Sequence, residues 1–216
     1  MDKIVLENTA KRYAKEWVFR NLSYTFEKDN AYVILGSNGS GKSTLLQVVS
    51  SVLSPSKGKL LYYDNDKLLE HEEIYKHISL NAPYMELPEE FSLNEVIDFH
   101  LKFKSFYPSI DKEKFIDICY LSEAKDKIIR NFSSGMKQRL KLGLAILSES
   151  SALFLDEPSS NLDKEGIAWY GKLIDQYKKD RIVVVCSNRI DSEYFFCNEQ
   201  IVIEDYKKKA PKVSVS

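Results

Sequence analysis

Nine consecutive residues near the start of the chain have the spacing of a phosphate-binding loop, G-x-x-x-x-G-K-[ST]. They are Gly36, Ser37, Asn38, Gly39, Ser40, Gly41, Lys42, Ser43 and Thr44. Glycines allow successive backbone N–H groups to converge on an anion, and a helix N-terminus adds partial positive charge. Lys42 would supply a full charge to the terminal phosphates, and Ser43 would offer its hydroxyl to Mg²⁺. The spacing therefore predicts that this loop binds the phosphates of a nucleotide.

The residues on either side of the loop supply the setting that it requires. The apolar run 31–35 comes directly before it and is typical of a buried strand, and the run 45–49 is typical of the start of a helix. A strand, a loop and a helix in that order place the loop at the carboxyl end of the strand. The alternative is a turn rich in glycine and serine with an unrelated lysine.

A second apolar run ends in two acidic residues. Residues 152–155 read A-L-F-L and are followed by Asp156 and Glu157. Because parallel α/β sheets bind ligands at the carboxyl ends of their strands, Asp156 would hold Mg²⁺ there, directly or through water. Glu157 would polarise the attacking water as a general base. The alternative is a strand that ends in two solvated acids, but the phosphate-binding loop upstream favours the first interpretation.

A third segment adds a resemblance to a known family. Residues 132–136 read F-S-S-G-M, directly before a predicted helix and shortly ahead of the second acidic motif. The ATP-binding cassette (ABC) family carries L-S-G-G-Q in that place. The order and spacing of the three motifs resemble the nucleotide-binding domain of this family over roughly residues 3 to 205.

The match in this third segment is partial. Ser133 and Gly135 agree with the family's Ser and second Gly, whereas Ser134 and Met136 depart from its first Gly and its Gln. The alternative for this segment is an ordinary capped helix without a nucleotide. If the resemblance holds, Ser133, Ser134 and Gly135 would contact an ATP molecule bound to a second chain.

The resemblance implies ATP as the nucleotide and Mg²⁺ as its metal. Tyr13 looks like the family's adenine-stacking aromatic, since an aromatic face can hold a purine ring; Trp17 is the alternative, and either ring could belong to the core. The segment 160–163, S-N-L-D, resembles the family's loop that crosses to the second subunit. Asp163 is also a good residue to cap a helix.

The resemblance also implies partners and a location. In the family, two chains form a head-to-tail dimer around two ATP molecules, and hydrolysis drives a membrane-spanning permease. The chain would therefore be an ATPase subunit that powers transport, pairs with a second ABC ATPase chain as a homodimer, and lies in the cytoplasm at the inner face of the cell membrane. Two alternatives stay open, a soluble ABC ATPase not linked to transport and a weakly hydrolysing ATP-sensing module.

Two departures from the family pattern bear on turnover. The family has a Gln where this chain has Pro83, and Pro83 has no side-chain carbonyl for Mg²⁺. The family also has a His directly after the strand at 183–186, where this chain has Ser187 and Asn188. Asn188 can donate a hydrogen bond to a γ-phosphate but cannot carry a proton near neutral pH. We therefore predict slow hydrolysis that depends on Asn188; the alternative is that residues 187–188 form only a turn.

Composition bounds the remaining possibilities. The chain has 216 residues, 44% of them apolar, and a formal net charge of −1, which gives no reason to expect a nucleic-acid partner. Its three cysteines are widely spaced and form no C-x-x-C pair, which is typical of a reducing compartment without a structural metal. No apolar stretch approaches 18 residues, so a membrane role would need a separate chain. A chromosome-maintenance ATPase would need a long coiled coil between Lys42 and Ser133, and no sustained heptads occur there.

The elements that must position these residues form one predicted domain. We expect residues 1–216 to form an α/β, P-loop NTPase core with a mostly parallel sheet, an antiparallel β lobe and an inserted helical lobe at about 88–148. Ser92 and Glu95 have the spacing of a capping box at the start of that lobe. Its apolar entry at 84–91 is a candidate partner surface. The lysine-rich tail 206–216 is predicted to be disordered.

Overall fold

Nine strands form two sheets in residues 1–207, the part of the chain that this computed structural model describes. In chain order the strands are β1 (Lys3–Tyr13), β2 (Glu16–Glu27), β3 (Ala31–Leu35), β4 (Lys57–Asp64), β5 (Lys67–Leu68), β6 (Ile78–Asn81), β7 (Ala152–Asp156), β8 (Ile182–Ser187) and β9 (Glu199–Val202). One sheet is antiparallel with the order β2-β1-β4-β5, and the other is parallel with the order β6-β7-β8-β3-β9. The parallel sheet and the antiparallel lobe agree with the predicted α/β fold class.

Seven α-helices connect and cover these strands in the described residues. They are α1 (Lys42–Val49), α2 (Ile74–His77), α3 (Leu93–Leu101), α4 (Lys112–Ile118), α5 (Ser134–Ile146), α6 (Lys164–Tyr177) and α7 (Asp191–Tyr194). Three of them, α3 to α5, lie in the predicted helical lobe between β6 and β7. Within residues 1–207, no helix has the length and apolar composition needed to cross a bilayer.

The parallel sheet is the middle layer of the fold. Every residue of β3, β7 and β8 is buried, which explains why these strands read as continuous apolar runs. Successive side chains alternate between two core clusters. Leu153 and Val183 pack with α3 to α6, whereas Phe154 and Val184 pack with α1, β1 and β2.

The strand register brings the predicted motifs to one edge of the sheet. Strand β8 lies between β3 and β7, with Leu35 opposite Ser187 and Asp156 opposite Cys186. The loops that follow β3, β7 and β8 therefore leave the sheet side by side. The loop after β6 leaves at the same edge, because Asn81 pairs with Leu155 on β7.

Helices α3, α4 and α6 each begin directly after a polar residue whose side chain caps the first turn. Ser92 and Glu95 form the predicted capping box at α3. The Asp111 side chain accepts from the Lys114 N–H at α4, and Asp163 Oδ1 accepts from the Gly166 N–H at 2.7 Å at α6. Each bond satisfies one of the N–H groups that a helix leaves unpaired at its first turn.

A buried arginine fastens the base of the sheet to the helices. Arg181, directly before β8, is 1% exposed. Its guanidinium donates to the carbonyl oxygens of Ile146 at 2.8 Å and Ser148 at 3.0 Å, at the end of α5. The negative end of a helix dipole suits this cation. Burial nevertheless lowers the pKa of Arg181 to about 10.

The three cysteines are free thiols. Cys119 and Cys186 are buried, and Cys197 is half-buried. Burial raises the pKa of Cys197 to about 12 and raises the pKa of the other two thiols as well. All three are therefore thiols rather than thiolates at neutral pH.

The first residue of the predicted tail, Tyr206, belongs to a folded turn. Residues 203–206 form a 3₁₀ turn after β9, and the half-buried Tyr206 ring packs against the core that contains Ile203. Burial of the apolar face of the Tyr206 ring stabilises this turn, which explains why Tyr206 is folded. Residues 208–216 lie outside the described part of the chain, and the prediction about them stays a prediction.

Candidate functional site

The phosphate-binding loop joins β3 to α1, as its flanks predict. Gly41 immediately precedes α1 with φ 105°, and a Cβ atom there would lie 2.3 Å from Val18 Cγ1, so only glycine fits. Lys42 is 4% exposed, and its Nζ donates to the Gly36 oxygen at 2.9 Å and the Ser37 oxygen at 3.1 Å. The lysine is thus held across the mouth of its own loop.

Asp156 ends β7 beside this loop. It is 2% exposed, and its Oδ1 atom is buried without a hydrogen-bond partner. Burial raises the pKa of the Asp156 carboxyl; the nearby Ser43 hydroxyl and the Lys42 charge oppose this rise. A buried carboxylate oxygen that lacks a donor is what a bound cation would satisfy. The donors present, a carboxylate and a hydroxyl, fit Mg²⁺.

Glu157 turns away from the strand that carries Asp156. Its backbone has φ 46°, in the left-handed region that a non-glycine residue rarely adopts. The Glu157 N–H donates to the Cys186 oxygen at 3.0 Å, which holds this conformation against β8. Such local backbone strain is often found at functional sites. The Glu157 side chain is half-buried, and its charge adds to the rise in the pKa of the neighbouring Asp156.

Pro83 and Asn188 follow β6 and β8, so both predicted departures lie at the same edge of the sheet. Both side chains are exposed. Next to Pro83, the Tyr84 hydroxyl lies beside Gln47 and Asp156. Burial raises the pKa of Tyr84, the Gln47 hydrogen bond opposes this rise, and the Asp156 charge adds to it. The sequence placed Tyr84 only in a partner surface; in the structure it is 47% exposed and also lies near Gln47 on α1, the helix that follows the phosphate loop.

The signature segment opens α5, with Ser133 as its cap. The Ser133 hydroxyl accepts from the Met136 N–H at 3.2 Å, and its own proton stays free to be donated. Ser133 and Ser134 are exposed, and Gly135 is half-buried near the Asn161 oxygen. The helix is therefore capped by Ser133, and this cap is compatible with a phosphate contact at the same helix end, so the role of the segment stays a prediction.

The two candidate adenine-stacking rings differ in their surroundings. Tyr13 is 52% exposed at the end of β1, with the Lys11 amine 5.6 Å from its ring centre. The Trp17 ring is half-buried and flanked by the guanidinium groups of Arg12 at 5.4 Å and Arg20 at 4.8 Å. The ring of Tyr13 thus offers more open surface to a base, and its role stays a prediction.

One acidic residue at the site was missed by sequence reasoning. Glu204 follows β9, and its Oε1 accepts from the Ser37 N–H at 2.8 Å and from the Ser37 hydroxyl at 3.2 Å. The hydrogen bond from the Ser37 backbone holds the pKa of Glu204 below its usual range, and Arg189 contributes. Its partner lies 167 residues earlier, so no local pattern could have predicted the contact.

This fold and this loop define a class of protein, the P-loop nucleotide-binding proteins. Within that class, a family model described as ABC transporter matches residues 19–160, well over half of the chain. The chain therefore belongs to the ABC transporter family. Its function is that of the family's ATP-binding subunits, which power transport. The predicted resemblance and fold class are both confirmed.

Two curated relatives and one solved structure illustrate the similarity. YybJ of Bacillus subtilis (strain 168), an uncharacterized ABC transporter ATP-binding protein, is 29% identical over 192 residues, which cover 88% of each chain. YcbN of the same organism, described in the same words, is 29% identical over 170 residues; the match covers 79% of this chain but 55% of YcbN. The dimeric structure of MJ0796, a bacterial ABC transporter cassette, superposes with a TM-score of 0.76 at 20% identity, covering 93% of this chain and 95% of that one. At 20% identity, this superposition shows that the two chains share a fold and nothing more.

Proposed function

We propose that this chain hydrolyses ATP as the motor subunit of a membrane transporter. One observation carries the proposal: Lys42 and Ser43 of the phosphate loop meet Asp156 and Glu157 at one edge of the parallel sheet. Binding and hydrolytic groups are then in reach of one nucleotide. The family membership supports ATP as that nucleotide.

Ser43 and Asp156 would hold Mg²⁺. The orphaned Asp156 Oδ1 and the adjacent Ser43 hydroxyl are the observations that support this assignment. When bound, Mg²⁺ would neutralise charge that develops on the phosphate oxygens. Lys42 would contact the terminal phosphates, with the backbone N–H groups of the loop around them.

Glu157 would act as the general base. It follows Asp156 directly at the end of β7, and its charge acts on that carboxyl, so Asp156 would hold the metal while Glu157 would polarise the attacking water. Asn188 would donate a hydrogen bond to the γ-phosphate. Because Asn188 cannot accept a proton as an imidazole can, we expect slow turnover.

A second copy of the chain would complete the site. Ser133, Ser134 and Gly135 open a helix with N–H groups that are suited to a phosphate, and both serines are exposed. In a head-to-tail homodimer these residues would cap the ATP held by the partner's phosphate loop. The dimeric cassette among the solved structures is consistent with this arrangement.

A membrane-spanning permease would be the other partner. An apolar groove of about 380 Å³ lies between β6 and the helical lobe, and its lining includes Leu80, Met85, Leu87, Phe103 and Leu144. Met85 and Phe103 are 39% and 67% exposed, as is expected of a surface that a partner covers. Docking there would hold the chain at the inner face of the cell membrane.

A weakly hydrolysing ATP-sensing module is the second candidate. Pro83 and Asn188 favour it, because each replaces a side chain with which the family contacts metal or phosphate. A soluble ABC ATPase not linked to transport is the other alternative. Copurification with a membrane permease would separate it from a transporter subunit, whereas the rate of ATP hydrolysis would separate the sensing module.

The decisive experiment compares the parent protein with Lys42→Ala and Glu157→Gln. Lys42→Ala should weaken ATP binding about tenfold or more, because a charge-assisted contact contributes about 1.5–3 kcal/mol. Glu157→Gln should bind ATP, fail to hydrolyse it and accumulate as a dimer with Mg-ATP in light scattering. Lys172→Ala, an exposed lysine on α6, is the matched control. Unchanged affinity in Lys42→Ala, or a Glu157→Gln protein that stays monomeric at high concentration, would contradict the proposal.

A further inference from the structure

A buried carboxylate outside the predicted motifs joins two loops at the edge of the parallel sheet. Glu193 lies in α7 and is 0% exposed. Its Oε1 accepts from the Ser159 hydroxyl at 2.6 Å and from the Ser159 N–H at 3.3 Å. Its Oε2 accepts from the Ser187 hydroxyl at 2.5 Å. Each carboxylate oxygen is therefore held by a different loop.

The two serines stand next to residues proposed to act on ATP. Ser159 follows Glu157 by two residues and begins the loop that ends at Asp163. Ser187 directly precedes Asn188, and its hydroxyl oxygen accepts from the Ile190 N–H at 3.1 Å. Glu193 thus connects the loop after β7 with the loop after β8 through direct hydrogen bonds.

The surroundings of Glu193 fix it firmly. The hydroxyl of Tyr170, which is fully buried in α6, donates to the Glu193 backbone oxygen at 2.8 Å. A buried carboxylate is costly unless donors satisfy it, and three donors do so here. The loop after β7 is also held from the side of α5, because Gln138 on that helix donates to the Pro158 oxygen at 2.9 Å.

We propose that Glu193 is a positioning residue that couples two loops. One is the loop after β8, residues 187–190, which carries Asn188. The other is the loop after β7, residues 158–163, called here the crossing loop because its residues 160–163 resemble the family's loop to the second subunit. The inference rests on the proposed function. A shift of Asn188 on contact with phosphate moves Ser187, and the shared carboxylate transmits that movement to Ser159. The crossing loop then takes the position that the second subunit requires, so ATP binding and dimerisation are linked within one chain.

The test uses Glu193→Gln in the parent protein and in the Glu157→Gln background. Glutamine keeps the size of the side chain but replaces one acceptor oxygen with an NH₂ group that faces a hydroxyl donor. We expect kcat to fall at least tenfold while KM and the ATP affinity of the monomer stay within twofold. In the Glu157→Gln background, the ATP-dependent dimer should weaken at least tenfold. A merely structural role would not separate kcat from KM in this way.

Controls separate the coupling from loss of folding. Asp191→Asn changes an exposed carboxylate on the same helix, whose partner is the Tyr194 hydroxyl, and should leave every value unchanged. Ser159→Ala removes one hydroxyl and should reproduce part of the defect; combined with Glu193→Gln it should add little, because both changes break one contact. If Glu193→Gln proved unstable, the partial defect of Ser159→Ala beside an unchanged Asp191→Asn would still support the inference, and a parent-like Ser159→Ala would contradict it.

Three outcomes would overturn the inference. Parent-like kcat and dimer affinity in Glu193→Gln would do so, as would additive effects of Ser159→Ala and Glu193→Gln. If the parent did not hydrolyse ATP and Glu157→Gln did not dimerise, the proposed function would fail together with this inference. Normal behaviour of those two proteins beside an unaffected Glu193→Gln would remove the inference alone.

Discussion

Asn188 is the residue at which the site departs most clearly from its family. It follows β8 directly, and its exposed amide is free to reach a phosphate at the sheet edge. Its neighbour Ser187 is fixed by Glu193, so the backbone that presents the amide is anchored. An anchored donor loses little freedom when it binds, which favours a role in the transition state.

We expect Asn188→Ala to lower kcat with little change in KM, and Asn188→His to raise kcat. Loss of one preorganised donor costs about 10²–10³ in rate in well-studied sites, and an amide that only partly replaces an imidazole should contribute less. Steady-state kinetics on the two variants and on Asn94→Ala, a residue of α3, would measure the effect. Equal turnover in Asn188→Ala and the parent would mean that residues 187–188 form only a turn.

At this scale the sequence predicts binding residues better than it predicts their supports. Lys42 and Asp156 stand in local motifs, and strand order then brings them together. Glu204 and Glu193 act through Ser37 and Ser159, which lie 167 and 34 residues away. Such contacts depend on the folded path of the chain, so no spacing in the sequence announces them.

At the scale of elements, α3 carries a half-buried histidine that hydrogen-bonds to the segment directly after α5. His100 Nε2 lies 2.7 Å from the Ser148 hydroxyl oxygen, and that hydroxyl donates its own proton to the Leu144 oxygen at 2.5 Å. The hydroxyl must therefore accept from Nε2–H, which fixes the neutral tautomer. Burial, with a smaller contribution from Lys104, lowers the pKa of His100 to about 4.

Stability should therefore fall as the pH is lowered from about 6.5 toward 4. In that window the unfolded chain, with an ordinary histidine pKa, binds a proton that the folded chain does not. We expect His100 to contribute about 1–2 kcal/mol to the loss between pH 7 and pH 5. Urea denaturation of the parent and of His100→Gln at both pH values would measure it.

The variant should show the flatter pH dependence of the free energy of unfolding. His71→Gln, in which an exposed ring is replaced, serves as the matched control and should follow the parent. Identical slopes for the parent and His100→Gln would show that His100 is protonated without cost in the fold.

Helix starts were more predictable than strand ends. The capping box at Ser92 is a local pattern, and it forms as predicted. From the sequence, residues 4–6 and 22–26 have the pattern of short strands, whereas β1 and β2 extend over Lys3–Tyr13 and Glu16–Glu27. Register shifts after Leu6 interrupt the alternation of buried and exposed residues, so periodicity could not reveal the full length.

At the scale of the whole molecule, the apolar groove between the sheet and the helical lobe is the candidate permease contact. The sequence predicts a partner surface over residues 84–91, and the structure divides that segment. Tyr84 lies near Gln47 and outside the groove, Leu87 lines the groove but also packs on the lobe core, and Met85 lines it together with the more exposed Phe103. The side chains to change are therefore those of Met85 and Phe103.

Met85→Glu and Phe103→Glu should release the chain from the membrane fraction of cells at least severalfold. A carboxylate in an apolar interface is costly to desolvate, and neither side chain belongs to the phosphate loop, so ATP affinity should not change. Fractionation and nucleotide titration of the same proteins would measure both effects. Phe195→Glu, at a 58% exposed aromatic residue outside the groove lining, is the control. Unaltered membrane association of both groove variants would exclude this surface.

The raised pKa values of the three cysteines, two of them buried and one half-buried, make the chain suitable for selective thiol labelling. Maleimides react with thiolates, and the raised pKa values of Cys119, Cys186 and Cys197 leave few thiolates at neutral pH. One cysteine introduced at exposed Lys164, at the start of α6, would then be the dominant reactive group. A spin label or fluorophore there would report the distance between two copies while the native cysteines remained in place.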